Sequence, residues 1–293
     1  MIFITYDSNK KTDGIGAQYQ RIIGIICIAF YYNLQYVHNT IKVDGHNTNI
    51  ENAEKFFGIK EYFDPVDINS YDFIYELENP KENDILEYIN LYKNQNILIK
   101  ILYPFNICDA NPQIYVQTMP ILTNLIKKLN LDLDYNYTNT NIAIHVRRGD
   151  VTKTKNNDRY ISTEIIKKII NNIQEKYSNA MIYIFTEITD ENKNEFQDII
   201  NNKIILKANL DDIYTINHLI FADVLIMSKS SFSYVAGLYN PNKVYYFNFW
   251  HSSLPIWHDI NNLLYINEAF TNNTINYNWL YILLIIIIIY NIK

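Results

Sequence analysis

The chain runs to 293 residues, with 48% hydrophobic residues and a formal net charge of −6. That length exceeds one minimal core and suits one large α/β unit or two domains, while the acidic balance excludes a nucleic-acid binder that works by overall phosphate neutralisation. Only Cys27 and Cys108 are present, far apart, which excludes a disulfide framework or a zinc ribbon and fits a reducing, cytoplasmic setting.

Met1-Ile2-Phe3-Ile4-Thr5-Tyr6 reads as a first strand over residues 2–6, with no basic segment and long apolar stretch of a signal peptide. A loop with two of the seven glycines, Asp13-Gly14-Ile15-Gly16-Ala17-Gln18, leads into a helix predicted over 15–34. A strand at 35–38, a helix at 50–57, a strand at 97–103 and a helix at 115–129 follow by period and punctuation. Residues 132–141 crowd Asp, Asn, Thr and Tyr together and mark the break between two halves. A second series then begins, with strands at 142–146, 180–185, 203–206, 223–227 and 243–247. Helices are predicted between them at 162–177, 190–200, 212–221 and 231–238, the first capped by Ser162. Such alternation implies parallel sheets with crossover helices, and ligands at the carboxyl ends of the strands. Residues 279–290 form an apolar run of about a dozen, short of the roughly 20 that span a bilayer as a helix. The run reads as a buried last element or as a short membrane-contacting tail.

Enrichment in Ile, Asn, Lys and Tyr follows A/T-rich codons, so Asn and Ile runs carry little meaning and the few glycines carry more. Three segments hold chemistry. The first is the glycine loop, at the amino end of a helix whose free N–H groups favour an anion or a sugar oxygen. It lacks the third glycine of a dinucleotide fingerprint. The second is His145-Val146-Arg147-Arg148-Gly149-Asp150, where an apolar strand delivers two guanidiniums to its carboxyl end. A planar guanidinium binds phosphate oxygens in bidentate fashion. The same residues in a structural role would form an Arg–Asp pair closing the corner. The third is a strand running into Ser228-Lys229-Ser230-Ser231-Phe232-Ser233, a hydroxyl-rich turn at a helix start, which also suits an ordinary Ser cap. Glu187, after the strand at 180–185, adds a polar group on the same rim. Asp132 and Asp134 match a metal-binding D-x-D formally, but no strand feeds them, and they read as a solvated turn. No metal site is expected.

Together these segments resemble the fucosyltransferases that use GDP-fucose, above all the α-1,2 family, with its α-1,6 and protein-O relatives. His145–Asp150 matches the family's H-x-R-R-x-D at every defined position, and Ser230-Ser231-Phe232-Ser233 resembles its later Ser/Thr-Phe-Ser turn. The chain departs from the pattern at Ala17, where the family usually has Asn, and at Glu187, where it often has Asp. Tyr234 and Val235 stand in place of a common Trp pair.

The resemblance implies an α/β fold of two Rossmann-like lobes, the GT-B type, acting as an inverting, metal-independent glycosyltransferase. It implies an amino-terminal lobe over 1–135 on the acceptor side and a nucleotide-sugar lobe over 136–275, leaving 276–293 as the apolar tail. The partners it implies are a GDP-fucose or other nucleotide-sugar donor and a glycan or glycoprotein acceptor, with no further cofactor. A non-catalytic sugar-nucleotide-binding relative is the rival reading. On this resemblance Arg147 is the cation on the leaving phosphate, with His145 on the same face. Arg148 orders the corner through Asp150, and Ser230, Ser231 and Phe232 cradle the donor. Gly14, Gly16 and Gln18 approach from the other lobe, and Asp150, Asp158 and Glu187 are the candidate bases.

Overall fold

The computed structural model describes residues 1–9, 13–43, 45, 48–126 and 133–264. The apolar run at 279–290 and Asp132 lie outside these. The first half contains β1 (Ile2–Tyr6), α1 (Ile15–Tyr31), β2 (Gln35–Tyr36), α2 (Ile50–Phe57) and α3 (Ile59–Tyr62). It continues through β3 (Phe73–Leu77), α4 (Glu82–Leu91), β4 (Ile97–Ile101), α5 (Phe105–Cys108) and α6 (Gln113–Ile126). Its strands form one parallel sheet in the order β2-β1-β4-β3.

The second half contains β5 (Thr140–Val146), α7 (Thr163–Lys176), β6 (Ala180–Thr186), β7 (Ile204–Ala208) and α8 (Asp212–Phe221). After these come β8 (Val224–Ile226), α9 (Ser231–Tyr239), β9 (Lys243–Tyr246), β10 (His258–Asp259) and α10 (Asn261–Leu264). A six-stranded sheet, parallel throughout, runs β10-β9-β8-β5-β6-β7. The fold is therefore α/β with two parallel-sheet lobes.

Alternation along β5 explains how this sheet is buried on both faces. Ile142, Ile144 and Val146 enter a core with Ile166, Ile169 and Ile173 of α7 and Leu263 of α10. Ala143 enters the opposite core, which continues without a break into the first lobe through α1, α6 and α9. Each fully buried Ile contributes about 1.5–3 kcal/mol relative to exposure. His145 and Arg147 continue the row of Ala143, so both are carried to the face between the lobes.

The lobes meet where α1 and α9 begin. A Cβ on Gly16 would lie 2.6 Å from the Phe232 Cα and 2.8 Å from its backbone nitrogen. Two helix amino termini, each the positive end of a dipole, therefore meet at one place.

Several elements differ from the sequence reading. Residues 190–200, expected as a helix, form a run of turns. Asn192 explains part of this: its side chain accepts from Thr189 N (2.6 Å) and donates to Glu187 O (3.0 Å), competing with a helical ladder. The helix α1 stops at Tyr31 because Asn33 takes a left-handed φ of 54° and Leu34 N bonds back to Ala29 O at 2.8 Å. β3 and α4 carry no clear periodic signal, since β3 is a half-exposed edge strand and α4 buries only Ile85 fully. Asp134 is exposed, as expected, and also binds Lys207, Tyr214 and His218. Partial burial would raise its carboxyl, but those three hydrogen bonds outweigh it and hold the pKa at about 2.

Gly16→Ala tests the lobe contact. Overpacking against backbone costs about 1–3 kcal/mol, so urea denaturation is expected to show a loss in that range with the m-value unchanged.

Candidate active site

A cavity of about 730 Å³ lies between the lobes, at the carboxyl ends of β5 and β6 and the amino ends of α1 and α9. Arg147 stands just past β5, and its guanidinium is fixed on three sides. Nε and Nη2 donate to Asp150 Oδ1 and Oδ2 at 3.0 and 2.7 Å, a bidentate fork, and Nη1 donates to Ser230 Oγ at 2.9 Å. Among the described residues, one N–H on Nη1 and one on Nη2 have no partner, and the residue lines the cavity. Ser230 in turn caps α9, its Oγ accepting from Phe232 N at 3.3 Å.

The two arginines of the motif divide differently from the sequence reading. Asp150 binds Arg147, not Arg148. Gly149, at φ 72°, turns the chain so that Asp150 returns to the side of Arg147. Arg148 goes to the opposite face, where it is 3% exposed and donates to Glu195, to Ile161 O (2.9 Å) and to Arg147 O (2.9 Å). Its guanidinium also lies over the Tyr160 ring at 4.4 Å. Its donors thus serve the protein that holds the corner in shape.

His145 Nδ1 meets Ser228 Oγ at 2.7 Å, and its ring lies 5.5 Å from that of Phe232. Burial, and then the charge of Arg147, lower its pKa to about 3, so the imidazole is neutral near pH 7. Glu187 lines the cavity beside Gly149, where a Cβ would run into its carboxylate. Ser231 and Phe232 line it from α9, and Gly14 and Gly16 from α1.

Gln18, expected at the donor, sits elsewhere. It is fully buried, and its amide nitrogen donates to Asp13 O (2.6 Å) and Val43 O (2.9 Å), bracing the glycine loop from behind. Asp158 is exposed and off the cavity wall.

Other lining residues stand outside the three chemistry-bearing motifs, Arg21 within α1 and Phe105 at the start of α5. Arg21 binds Asp13 and Tyr6 Oη (3.2 Å) behind the glycine loop. Arg159 lies over the Trp250 ring at 4.4 Å. His251 reaches across the lobes, Nδ1 meeting Asp109 Oδ2 at 3.0 Å, while Phe105 packs 4.4 Å from its ring. No group of three or more His, Cys, Asp or Glu that suits a metal ion occurs among the described residues.

Two parallel-sheet lobes facing a cavity at their strand ends, with a forked arginine on its wall, have the GT-B arrangement. The chain belongs to glycosyl transferase family 11, whose model matches residues 106–255, just over half of it. This agrees with the fucosyltransferase resemblance carried by His145–Asp150. No curated protein matches the chain. Among solved structures it is similar to POFUT1 in complex with GDP-fucose, at 10% identity and a TM-score of 0.50, covering 88% of this chain and 97% of that one. It is also similar to the POFUT1 apo-form (9% identity, TM-score 0.48, 84% and 98% covered). The S. aureus MnaA–UDP structure is a further match (10% identity, TM-score 0.43, 93% and 88% covered). Likeness at such low identity establishes the shared fold alone.

The Arg148–Glu195 pair provides a stability test. Burial raises the Glu195 carboxyl, but hydrogen bonds from Arg148 and Thr163 outweigh this and hold it below the ordinary range. A lowered folded pKa means that its contribution is complete above the ordinary value of 4.5 and fades as pH falls through the folded value. Removing one partner of a buried pair costs about 3–5 kcal/mol. Arg148→Met is expected to lose that much stability by urea denaturation at pH 7, with the gap to wild type narrowing below pH 4.5.

Proposed function

We propose that this glycosyltransferase moves fucose from GDP-fucose to a glycan hydroxyl, with inversion at the anomeric carbon and without a metal ion or further cofactor. The observation that carries the reading is Arg147, forked by Asp150, steadied by Ser230, and left with two N–H groups on the cavity wall. Family 11 membership and the His145–Asp150 motif support fucose as the sugar. POFUT1, which shares the fold, was crystallised with GDP-fucose.

The acceptor oxygen attacks the anomeric carbon from the side opposite the diphosphate. The bond from that carbon to the phosphate oxygen breaks, and its electron pair stays on the diphosphate. Negative charge therefore grows on the leaving oxygens in the transition state. A cation already held in place stabilises that charge without reorganising at the moment of reaction. Asp150 keeps Arg147 oriented while the spare N–H groups meet the diphosphate. The amino termini of α1 and α9 add positive potential from both lobes. His145, being neutral, acts as a hydrogen-bonding group rather than a second cation.

Two measurements test this. GDP is expected to raise the melting temperature where UDP, ADP and CMP do not, since a ligand at 100 times its Kd adds about 2.7 kcal/mol to the folded state. Arg147→Ala is expected to slow GDP release from GDP-fucose by about 100-fold or more, as for loss of one transition-state donor. Arg147→Lys is expected to fall as well, because an ammonium cannot reproduce the fork to Asp150. Near-normal turnover by Arg147→Ala would overturn the assignment.

A further inference from the structure

Transfer to a hydroxyl must shed a proton; of the three residues considered for it from the sequence, Glu187 lines the cavity beside Gly149, while Asp150 and Asp158 are poorly placed. Asp150 is committed to Arg147 through both carboxylate oxygens, and Asp158 is exposed and off the cavity wall. Three carboxylate–imidazole pairs occur among the described residues: His38–Glu54, His218–Asp134 and His251–Asp109. In the first, both ring nitrogens are used, Nδ1 meeting Tyr36 Oη at 3.0 Å and Nε2 meeting Glu54 at 2.8 Å. In the second, Nδ1 meets Tyr214 O at 2.8 Å and Nε2 meets Asp134 at 2.6 Å. Neither imidazole retains a nitrogen for a substrate, and neither lines the cavity.

His251 differs on both counts. It lines the same cavity as Arg147, and only Nδ1 has a hydrogen-bond partner among the described residues. Asp109 Oδ2 accepts from Nδ1–H, which puts the lone pair on Nε2. Asp109 is itself held, its Oδ1 accepting from Ser252 N (3.1 Å) and its carbonyl from Ser252 Oγ (2.8 Å). Packing by Phe105 at 4.4 Å fixes the ring plane. The dyad spans the lobes, Asp109 following α5 and His251 following β9. His145 also keeps an uncommitted ring nitrogen, but burial and Arg147 make it a very weak base.

We infer that His251 is the general base of the transfer and that Asp109 is its positioning residue. This rests on the glycosyl-transfer reading above and extends it to a hydroxyl-bearing acceptor bound on the His251 side of the cavity. As the acceptor oxygen bonds to the anomeric carbon, its proton passes to His251 Nε2. The electron pair of the broken bond leaves with the nucleoside diphosphate. The imidazolium so formed is stabilised by Asp109 and afterwards gives its proton to water.

The test uses the full chain with His251→Gln and Asp109→Asn. GDP release is followed from GDP-fucose, and in parallel nucleotide release from GDP-mannose and UDP-N-acetylglucosamine, with water, methanol or methyl glycosides as acceptor. General-base loss is worth about 100-fold or more, so His251→Gln is expected to fall by at least that with hydroxyl acceptors. Asp109→Asn is expected to fall less, in the same direction. Azide has no proton to lose, so sodium azide is expected to restore nucleotide release in both variants and to yield the glycosyl azide. Retained nucleotide-induced melting shifts identify the variants as folded. Near-normal transfer by folded His251→Gln overturns the base assignment, and so does a loss that azide leaves unrescued. Turnover of another donor in place of GDP-fucose, with the same azide rescue, overturns the fucose reading and leaves the base standing. No turnover of any donor by wild type overturns both.

Discussion

The contact on which the site depends is the one between Gly16 and the backbone of Phe232. Without a side chain at Gly16, α1 and α9 begin within van der Waals reach of each other across the two lobes. That closeness aligns two helix dipoles on one cavity and keeps the carboxyl end of β5 opposite the glycine loop. A methyl group there would have to displace main chain, which a packed interior resists far more than it resists moving the tip of a flexible side chain. The scarcity of glycine in this chain makes that placement more informative than it would be elsewhere.

Around that contact, charge is handled by dividing two adjacent arginines between two tasks. Arg147 faces the cavity and keeps two donors for a ligand; Arg148 faces the opposite core and spends its donors on Glu195 and backbone carbonyls. A carboxylate orients each one, but from different distances in sequence: Asp150 is three residues away, and Glu195 comes from the turns after β6. A charge as buried as Arg148 is tolerated only with such a partner. The polar corner can therefore stay rigid while Arg147 remains available, which is what stabilisation of developing charge requires.

Local pattern made the second lobe legible. Its strands are short apolar runs between turn signals, and β5 through β9 begin and end within a few residues of where period and punctuation put them. The first lobe is less legible, because β3 is a half-exposed edge strand and α4 presents a mostly polar surface. The run at 190–200 is ambiguous because its acidic and Asn-rich composition suits turns as well as a polar helix, and Asn192 bonds to the backbone of Thr189 and Glu187. In the site, His145, Arg147, Ser230 and the glycines were visible because they stand at the ends of regular elements. Gln18 stands in the first turn of α1, just past the glycines, yet turns inward to brace the loop behind it.

The sequence alone determined the alternating α/β order, the second lobe's opening strand and the face on which Arg147 emerges. These follow from side-chain periodicity, a property of neighbours along the chain. Tertiary structure decided which carboxylate serves which arginine, since Asp150 reaches Arg147 only through the left-handed turn at Gly149. It also decided that Asp109 and His251, from irregular segments of different lobes, stand as a pair on the cavity wall. Such pairings depend on how sheets and helices pack in space, and no spacing along the chain encodes them.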